Sequence, residues 1–342
     1  MPKVLLTKRA TLEDVARAAG VAPMTVSRTI NGHPYVTEKT ARRVRAAIRR
    51  LDYRPNHAAR ILTGQLSRSI GLIVPDIADT FFSVIIHAVQ EAARLSGYLV
   101  WLASSDDDPS IEAAQLKMMI HHPVDGILLV PADSKSAHLK AVIGGPTPTV
   151  AIDRPVEMAP TDSIGVENAK GAHLAVDHLI GHGYKKILCI AVNSHLAPIQ
   201  ERIAGYKESM RHARLTCPKE LRPSDAAATR IVLAELFASR NRPQALFTTN
   251  NAATIWVIEA LQELKIEMGR DVALVGFDDV PFFSLISPPV TAICQPAADL
   301  GSIAARLLLQ RIKGELTASG MRTTLPVTLT IRESCGCKKE KK

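Results

Sequence analysis

From residue 69 onward, short apolar runs alternate with longer stretches of helical periodicity. The runs are rich in Val, Ile and Leu without polar alternation, which is typical of parallel strands covered on both faces. Seven of them stand out: SIGLIVP (69–75), YLVWLAS (98–104), DGILLVP (125–131), TVAID (149–153), KKILCIA (185–191), QALFTTN (244–250) and DVALVGFDD (271–279). Helical stretches at 81–97, 109–122, 200–214 and 252–266 are long enough for right-handed crossovers. The pattern predicts an α/β body of two doubly wound parallel-sheet subdomains.

The first 54 residues have the pattern of three short amphipathic helices. Thr11 and Asp14 form a variant capping box at the start of the first helix, and Gly20 ends it. Pro23 suits the first position of the second helix, and Thr37 begins the third. The predicted inward residues are Leu12, Val15, Ala16 and Ala19 on the first helix and Ala41, Val44, Ile48 and Leu51 on the third.

The second helix has a distinctive polar face. At about 100° per residue, Val26 and Ile30 share the side that packs on the first helix. The opposite side and its flanks carry Met24, Thr25, Ser27, Arg28 and Asn31. Thioether, hydroxyl, amide and guanidinium groups are those that contact base edges and phosphates. The three helices therefore predict an all-α helix-turn-helix head whose second helix enters a major groove of double-stranded DNA.

Residues 55–65 predict a helix that cannot be stable by itself. Asn56 can cap it and Gly64 can end it, which leaves about seven residues where an isolated helix needs roughly 12. Leu62 is the type of residue that wedges between base pairs in the minor groove. We expect this hinge to become helical only when another surface supports it.

Positive charge is confined to the front of the chain. Of the net charge of +9, residues 1–68 contribute +10 and the remaining chain −1. This distribution favours a polyanion-binding head on a nearly neutral body, and a solvated basic surface is the alternative. Five scattered cysteines, the lack of a signal peptide and the lack of an apolar run of 18 residues predict a cytoplasmic protein that does not enter a membrane.

Three motifs in order, TLEDVARAAGVAPMTVSRTING, VTEKTARRV and RPNHAARILTG, resemble the lactose repressor and galactose repressor family of bacterial transcription regulators. By position, the resemblance implies that Pro23, Met24 and Arg28 read bases and that Thr25, Ser27 and Asn31 contact phosphates. Asn56, Ala59 and Leu62 complete the expected DNA-binding set, the last two where the hinge enters the minor groove. One departure is Ala22, where the family often has Ser, because alanine caps a helix about 1 kcal/mol worse.

The resemblance also implies the domain organisation. The body is expected to be periplasmic-binding-protein-like (type I), with crossovers between its subdomains. The expected divisions are a head at 1–54, a hinge at 55–65, an N-terminal subdomain at 66–164 plus 294–325, a C-terminal subdomain at 165–293 plus 326–334, and a basic tail at 335–342. Two-fold symmetry of a pseudo-palindromic operator fits a homodimer, and the tail contains no tetramerising heptads.

Polar residues that end strands are the candidates for a ligand site, because ligands of open α/β sheets bind at the carboxyl ends of the strands. The expected effector set is Asp76, Phe81, Asp153, Arg154, Arg202, Asn250 and Asp278, on strand ends and on positions that the resemblance supplies. Helix capping or turn formation is the alternative for each of them. The group chemistry suits a sugar, a sugar acid or a sugar phosphate, and a purine or nucleoside corepressor is the alternative ligand.

Enzyme and metal signals are weak. No phosphate-binding loop, dinucleotide fingerprint or nucleophile elbow occurs, so a sugar-acting enzyme is only a remote alternative and no cofactor is expected. The sequence Cys335-Gly-Cys337 lacks a second ligand pair nearby, and His178 and His182 are a half-site at most. No metal site is predicted.

Overall fold

A computed structural model describes residues 10–30, 32–53, 66–143, 145–240, 242–317 and 320–337. The chain divides into two compact units, Met1–Ser67 and Arg68–Lys342. Four residues of the expected DNA-binding set, Asn31, Asn56, Ala59 and Leu62, lie outside the described residues. In the part of the chain that is described, no helix has the length and apolar character to cross a bilayer.

The head contains the three predicted helices, α1 (Leu12–Ala19), α2 (Pro23–Ile30) and α3 (Glu38–Arg50). The expected capping box is present: the Thr11 hydroxyl accepts from the Asp14 amide, and the Asp14 carboxylate accepts from the Thr11 amide at 3.0 Å. Gly20 ends α1 at φ +60°, a conformation that costs glycine little. The fully buried centre of the head is Val15, Val26 and Val44. On α3, Ala47 is buried where the pattern predicted Ile48, which is only half-buried.

The body is built on two sheets with helices on their faces. The first has the order β10-β5-β4-β3-β1-β2 and is parallel throughout. Its strands are β1 (Ser69–Val74), β2 (Leu99–Ser104), β3 (Gly126–Leu129), β4 (Thr149–Ile152), β5 (Asp162–Val166) and β10 (Arg322–Leu325). The second has the order β11-β9-β8-β7-β6, with only β11 antiparallel. It comprises β6 (Ile187–Ile190), β7 (Ala245–Thr248), β8 (Ala273–Phe277), β9 (Thr291–Cys294) and β11 (Thr328–Thr330).

Helices connect the strands of both sheets. They are α4 (Thr80–Leu95), α5 (Pro109–His121), α6 (Ala137–Ile143), α7 (Asn168–Gly181), α8 (Ala197–His212), α9 (Ala226–Ala238), α10 (Asn251–Glu263) and α11 (Ala297–Ile312), with a 3-10 turn at Pro281–Ser284. Helix α11 packs on α4, with Gly301 at the contact. Helix α8 packs on α7, with Gly205 at the contact. A Cβ on Gly301 would lie 2.6 Å from the Ile85 carbonyl oxygen, so this approach requires glycine. The chain crosses between the sheets after β5, β9 and β10.

The two-sheet fold class predicted from the apolar runs is confirmed. Four strands lack such runs and were not predicted, namely β5, β9, β10 and β11. They are short, and β10 and β11 lie at sheet edges and contain no fully buried residue. Strand β5 continues to Val166 in the first sheet, two residues past the division expected at 164, and β9 continues to Cys294 in the second, one residue past the division expected at 293.

Candidate functional site

Helix α2 presents the polar face that the sequence predicted. Val26 is fully buried against α1 and α3, whereas Met24 is 62 % exposed. Pro23 and Arg28 are exposed, and Thr25 and Ser27 are half-buried on the flanks. An exposed thioether beside a guanidinium on a helix anchored by a buried valine is an arrangement that can enter a groove of DNA.

Arg43 has a structural role within the head that the charge pattern does not reveal. Its guanidinium donates to the carbonyl oxygens of Ala19 at 2.6 Å and Gly20 at 3.3 Å, where α1 ends. A cation at a helix C-terminus satisfies free carbonyls and complements the helix dipole. Arg43 lies on α3, and its hydrogen bonds therefore hold the turn between α1 and α2 against α3.

Two buried aspartates occupy equivalent positions in the two halves of the body. Asp153 follows β4 with φ +64°, and Asp278 follows β8 with φ +70°. The left-handed conformation is uncommon for residues with a Cβ and is concentrated at functional sites. Burial raises the pKa of Asp153 to about 6, against the lowering influence of Arg154 and Arg202. Burial also raises the pKa of Asp278.

The guanidinium of Arg202 on α8 is held on several sides. It donates to Asn168 Oδ1 at 2.9 Å and to the Thr249 carbonyl at 2.8 Å, and it lies 3.5 Å from Asp278 Oδ1. Its central carbon lies 3.7 Å from the centre of the Phe277 ring. Only 3 % of the surface of Arg202 is exposed. Its main role is therefore to hold the residues of the cleft wall in place, and little of its charge is available to a ligand.

Arg154 belongs to the first half of the body. One terminal nitrogen donates to Asp107 Oδ1 and to the Pro131 carbonyl at 2.9 Å, and its Nε lies 3.6 Å from Asp153 Oδ2. The side chain is 6 % exposed. Among the described residues, Asp153 Oδ1 and Arg154 Nε find no hydrogen-bond partner within the protein, and neither does Gln295 Oε1.

One cavity of about 390 Å³ between the two sheets is lined by Asp153, Arg154, Arg202, Asp278 and Gln295. It includes the whole expected effector set, Asp76, Phe81, Asp153, Arg154, Arg202, Asn250 and Asp278. The side-chain oxygen of Asn250 caps α10 through the Ala253 amide at 2.9 Å, and Asp76 Oδ1 accepts from the Ala78 amide at 2.8 Å. Asn250 therefore also caps a helix and Asp76 also forms a turn, the structural roles that were the alternative to ligand binding.

The cavity contains polar residues that sequence reasoning missed. They are Asp79, Asp106, Asp107, Asn193 and Gln295. Asn251 also lines the cavity, beside Asn250 at a strand end that the sequence predicted. Asp106 and Asp107 follow the predicted strand at 98–104, so the strand-end rule could have found them. Gln295 follows β9, which has no apolar run to predict it. With these residues included, six carboxyl groups and two guanidinium groups line the cavity.

A helix-turn-helix unit with an exposed polar recognition helix, preceding a two-sheet α/β body, defines a DNA-binding regulatory protein. Residues 11–56 match the family described as bacterial regulatory proteins, lacI family, and residues 176–335 match a periplasmic binding protein-like domain. The chain belongs to the lacI family of bacterial transcription regulators.

Curated relatives extend over most of the chain. The HTH-type transcriptional repressor PurR of Vibrio vulnificus is 32% identical, with 89% of this chain and 92% of the relative covered. The ribose operon repressor of Escherichia coli is 31% identical, covering 89% of this chain and 93% of the relative. The solved Lac repressor dimer bound to operator and an anti-inducer superposes with a TM-score of 0.84 at 26% identity, covering 96% of this chain and 99% of that one.

Proposed function

We propose that a neutral, hydroxyl-rich ligand, a sugar, binds in the cleft and sets the affinity of the head for operator DNA. The observation that carries the proposal is a set of buried atoms without a hydrogen-bond partner, Asp153 Oδ1, Gln295 Oε1 and Arg154 Nε, all of which belong to residues that line the cavity. Two of these atoms are acceptors and one is a donor. Ligand hydroxyls can donate to the acceptors and accept from the donor, which removes the cost of leaving buried polar atoms unpaired.

The charge in the cleft favours a neutral sugar over a sugar acid or a sugar phosphate. Six carboxyl groups outnumber two guanidinium groups, and both guanidinium groups already bind protein oxygens. An anion would therefore meet like charges and few uncommitted donors, which is unfavourable in a buried site. Relatives that are ribose operon repressors support the same choice.

A purine is the second candidate ligand. Phe81 and Phe82 line part of the cavity, and aromatic walls suit flat heterocycles. The PurR relatives support this candidate. Because hydroxyl groups can satisfy the buried atoms at the strand ends that have no hydrogen-bond partner, we rank the sugar first.

For DNA binding, we propose that each dimer inserts two α2 helices into successive major grooves of a pseudo-palindromic operator. Pro23, Met24 and Arg28 contact bases, whereas Thr25, Ser27 and Asn31 contact phosphates. The hinge at 55–65, with Asn56, Ala59 and Leu62, becomes helical on bent DNA, where Leu62 wedges into the minor groove. A ligand that changes cleft closure changes the spacing of the two hinges, and coupling of about 1–3 kcal/mol shifts operator affinity about 5- to 150-fold.

The dimer that this mechanism needs has a candidate surface on the first subdomain. Leu99 and Trp101 project from edge strand β2 and are 72 % and 51 % exposed. The ring of His122 stacks on Trp101. A contiguous exposed apolar surface marks an association site, and a second copy of the chain is the partner that two-fold DNA recognition requires.

A thermal-shift screen of the full chain tests the ligand class. The panel comprises neutral pentoses and hexoses, the matching sugar acids and sugar phosphates, and purine bases and nucleosides. A ligand specific to the fold raises the Tm with its concentration, so neutral sugars should produce the largest shifts. The ligand that gives the largest shift is then titrated into operator complexes to measure the change in DNA affinity.

An Asp153→Asn variant is the matched control for that screen. It should lose most of the sugar-dependent shift, because an amide lacks one of the two carboxylate acceptors. A larger shift with sugar phosphates or with purines would reject the neutral-sugar proposal, and catalytic turnover of a bound sugar would establish an enzyme instead.

A further inference from the structure

The C-terminal segment brings two cysteines onto the end of helix α7, beside two histidines. His178 and His182 lie four residues apart at the end of α7, so their rings share one face, with centroids 4.7 Å apart. Cys335 and Cys337 follow β11. The fold therefore unites two half-sites that lie more than 150 residues apart in the sequence.

Three of the four donor atoms lie close to one another, and the fourth, His182 Nε2, lies close to Cys337 Sγ. Cys337 Sγ lies 3.1 Å from His182 Nε2, 3.6 Å from His178 Nε2 and 2.8 Å from Cys335 Sγ. The donor atoms of His178, Cys335 and Cys337 all lie within 4.8 Å of one another. In a tetrahedral zinc site with ligands at about 2.0–2.3 Å, donor atoms lie about 3.3–3.8 Å apart. The distances from Cys337 Sγ to the two imidazole nitrogens, 3.1 and 3.6 Å, are within a few tenths of an ångström of that range.

We propose that these four residues, His178, His182, Cys335 and Cys337, bind one structural Zn²⁺ that fastens the C-terminal segment to α7. Two thiolates and two imidazoles are a donor set that closes the coordination of zinc and leaves no open position for catalysis. Both cysteines are free thiols.

The surroundings of the cluster support a formed site. Cys335 is fully buried, which places it in the C-terminal subdomain and not in the basic tail expected from residue 335. Its sulfur accepts from the Thr291 hydroxyl at 3.2 Å, an outer contact of the kind that orients metal ligands. Gly336 has φ +85°, and a Cβ there would collide with the Tyr184 hydroxyl. Glycine between the cysteines therefore lets both sulfurs turn to the same side.

The position of the site indicates what the ion would do. Strand β11 closes the edge of the second sheet against β9, and the Ser334 hydroxyl donates to the Leu274 carbonyl at 2.7 Å. Cys335 and Cys337 come directly after this attachment. At its other end α7 carries Asn168, which binds Arg202 in the cleft. A zinc ion would hold the segment that follows β11 to the helix that supports the cleft wall.

Metal analysis of the full chain, purified without a polyhistidine tag and without added metal, tests the proposal. We expect about one zinc per chain by mass spectrometry of the metal content. Replacement of zinc by Co²⁺ should give the strong visible absorption of tetrahedral cobalt together with thiolate-to-cobalt charge transfer. Cys337→Ser and His182→Gln should each weaken zinc affinity at least about 100-fold, and His182 is exposed enough that the second variant tests the site if the first folds poorly.

Cys217→Ser is the control, because Cys217 is an exposed cysteine that is not part of this cluster. It should keep the zinc content and the cobalt spectrum of the wild type. Chelation of the metal should lower the Tm of the wild type and of Cys217→Ser, but not that of Cys337→Ser. A wild-type chain that binds neither zinc nor cobalt would overturn the proposal, as would cluster variants with unchanged affinity or a Cys335–Cys337 disulfide in protein prepared without oxidant.

Discussion

The side-chain amide of Asn251 donates to both carboxylate oxygens of Asp79, at 3.2 and 3.1 Å. Asp79 caps α4, which follows the first strand of the first sheet, and Asn251 begins α10 after β7 of the second sheet. This pair joins the two halves of the body directly across the cleft. Forming this contact therefore stabilises the closed cleft, and breaking it favours opening.

Breaking this contact is expected to weaken ligand binding. In Asn251→Ala, the affinity for the sugar with the largest thermal shift should fall about 3- to 10-fold, because one net hydrogen bond no longer favours the closed cleft. Calorimetry of Asn251→Ala, Asp79→Ala and the double variant separates this contact from the capping role of Asp79. Strictly additive losses would mean that the pair does not couple the two halves.

The raised pKa of Asp153 predicts a stability change with a defined sign. Burial raises the pKa of Asp153 to about 6 from its ordinary value of 3.8, so the folded protein binds more protons than the unfolded chain between these pH values. This aspartate therefore makes the protein less stable as pH rises from about 4 to 6, and the loss is complete above that range. Asp153→Asn should be more stable than the wild type at pH 7, by on the order of 2 kcal/mol.

Urea unfolding of both proteins at several pH values measures this difference. The advantage of Asp153→Asn over the wild type should grow between pH 4 and 6 and then stay constant. The same variant should bind sugar more weakly, so stability and ligand binding would change in opposite directions, as is common at functional sites. An advantage that shrinks as pH rises would contradict the assignment.

Arg202 is expected to be a stability residue as well as a cleft residue. In Arg202→Ala the buried Asp278 loses its cationic neighbour and the Thr249 carbonyl loses a donor. Removing one partner of a buried ion pair costs about 3–5 kcal/mol. Chemical denaturation of Arg202→Ala should show this loss, and a variant with wild-type stability would show that the contacts of Arg202 are energetically neutral.

Two arginines of the head should behave differently in DNA binding. Arg28→Ala should weaken operator binding by about 1–3 kcal/mol and relax sequence preference, because a contact to a base edge is lost. Arg43→Ala should mainly destabilise the head, because the α1 terminus loses its donor. Binding of operator and random DNA, together with thermal unfolding, separates the two effects, and identical profiles for both variants would refute the distinction.

The apolar surface of β2 predicts the oligomeric state. Trp101→Asp should convert the proposed dimer to monomer, because a carboxylate replaces a ring that would be buried between two copies. Ile231→Asp on α9 is the matched control, since Ile231 is 54 % exposed on a helix that connects strands of the second sheet. Analytical ultracentrifugation distinguishes the outcomes, and a stable Trp101→Asp dimer would place the interface elsewhere.

The sequence alone predicted the features that depend on residues close together in the chain. The capping box of Thr11 and Asp14, the start of α2 at Pro23 and the exposed polar face of α2 follow from residues within one or two helical turns. The apolar runs likewise predicted seven strands, five of which lie inside their sheets, because burial on both faces requires continuous apolar sequence. The predicted fold class and family follow from these features.

The tertiary structure alone decided which distant polar groups meet. Arg43 binds the end of α1, Asn251 binds Asp79 across 172 positions of the chain, and the sulfur of Cys337 lies beside His178 and His182. Hydrogen bonds and metal ligation act over about three ångströms in space and leave no period in the sequence. The packing of the folded chain brings these residues together. The sequence around one residue of such a pair does not show which distant residue it contacts.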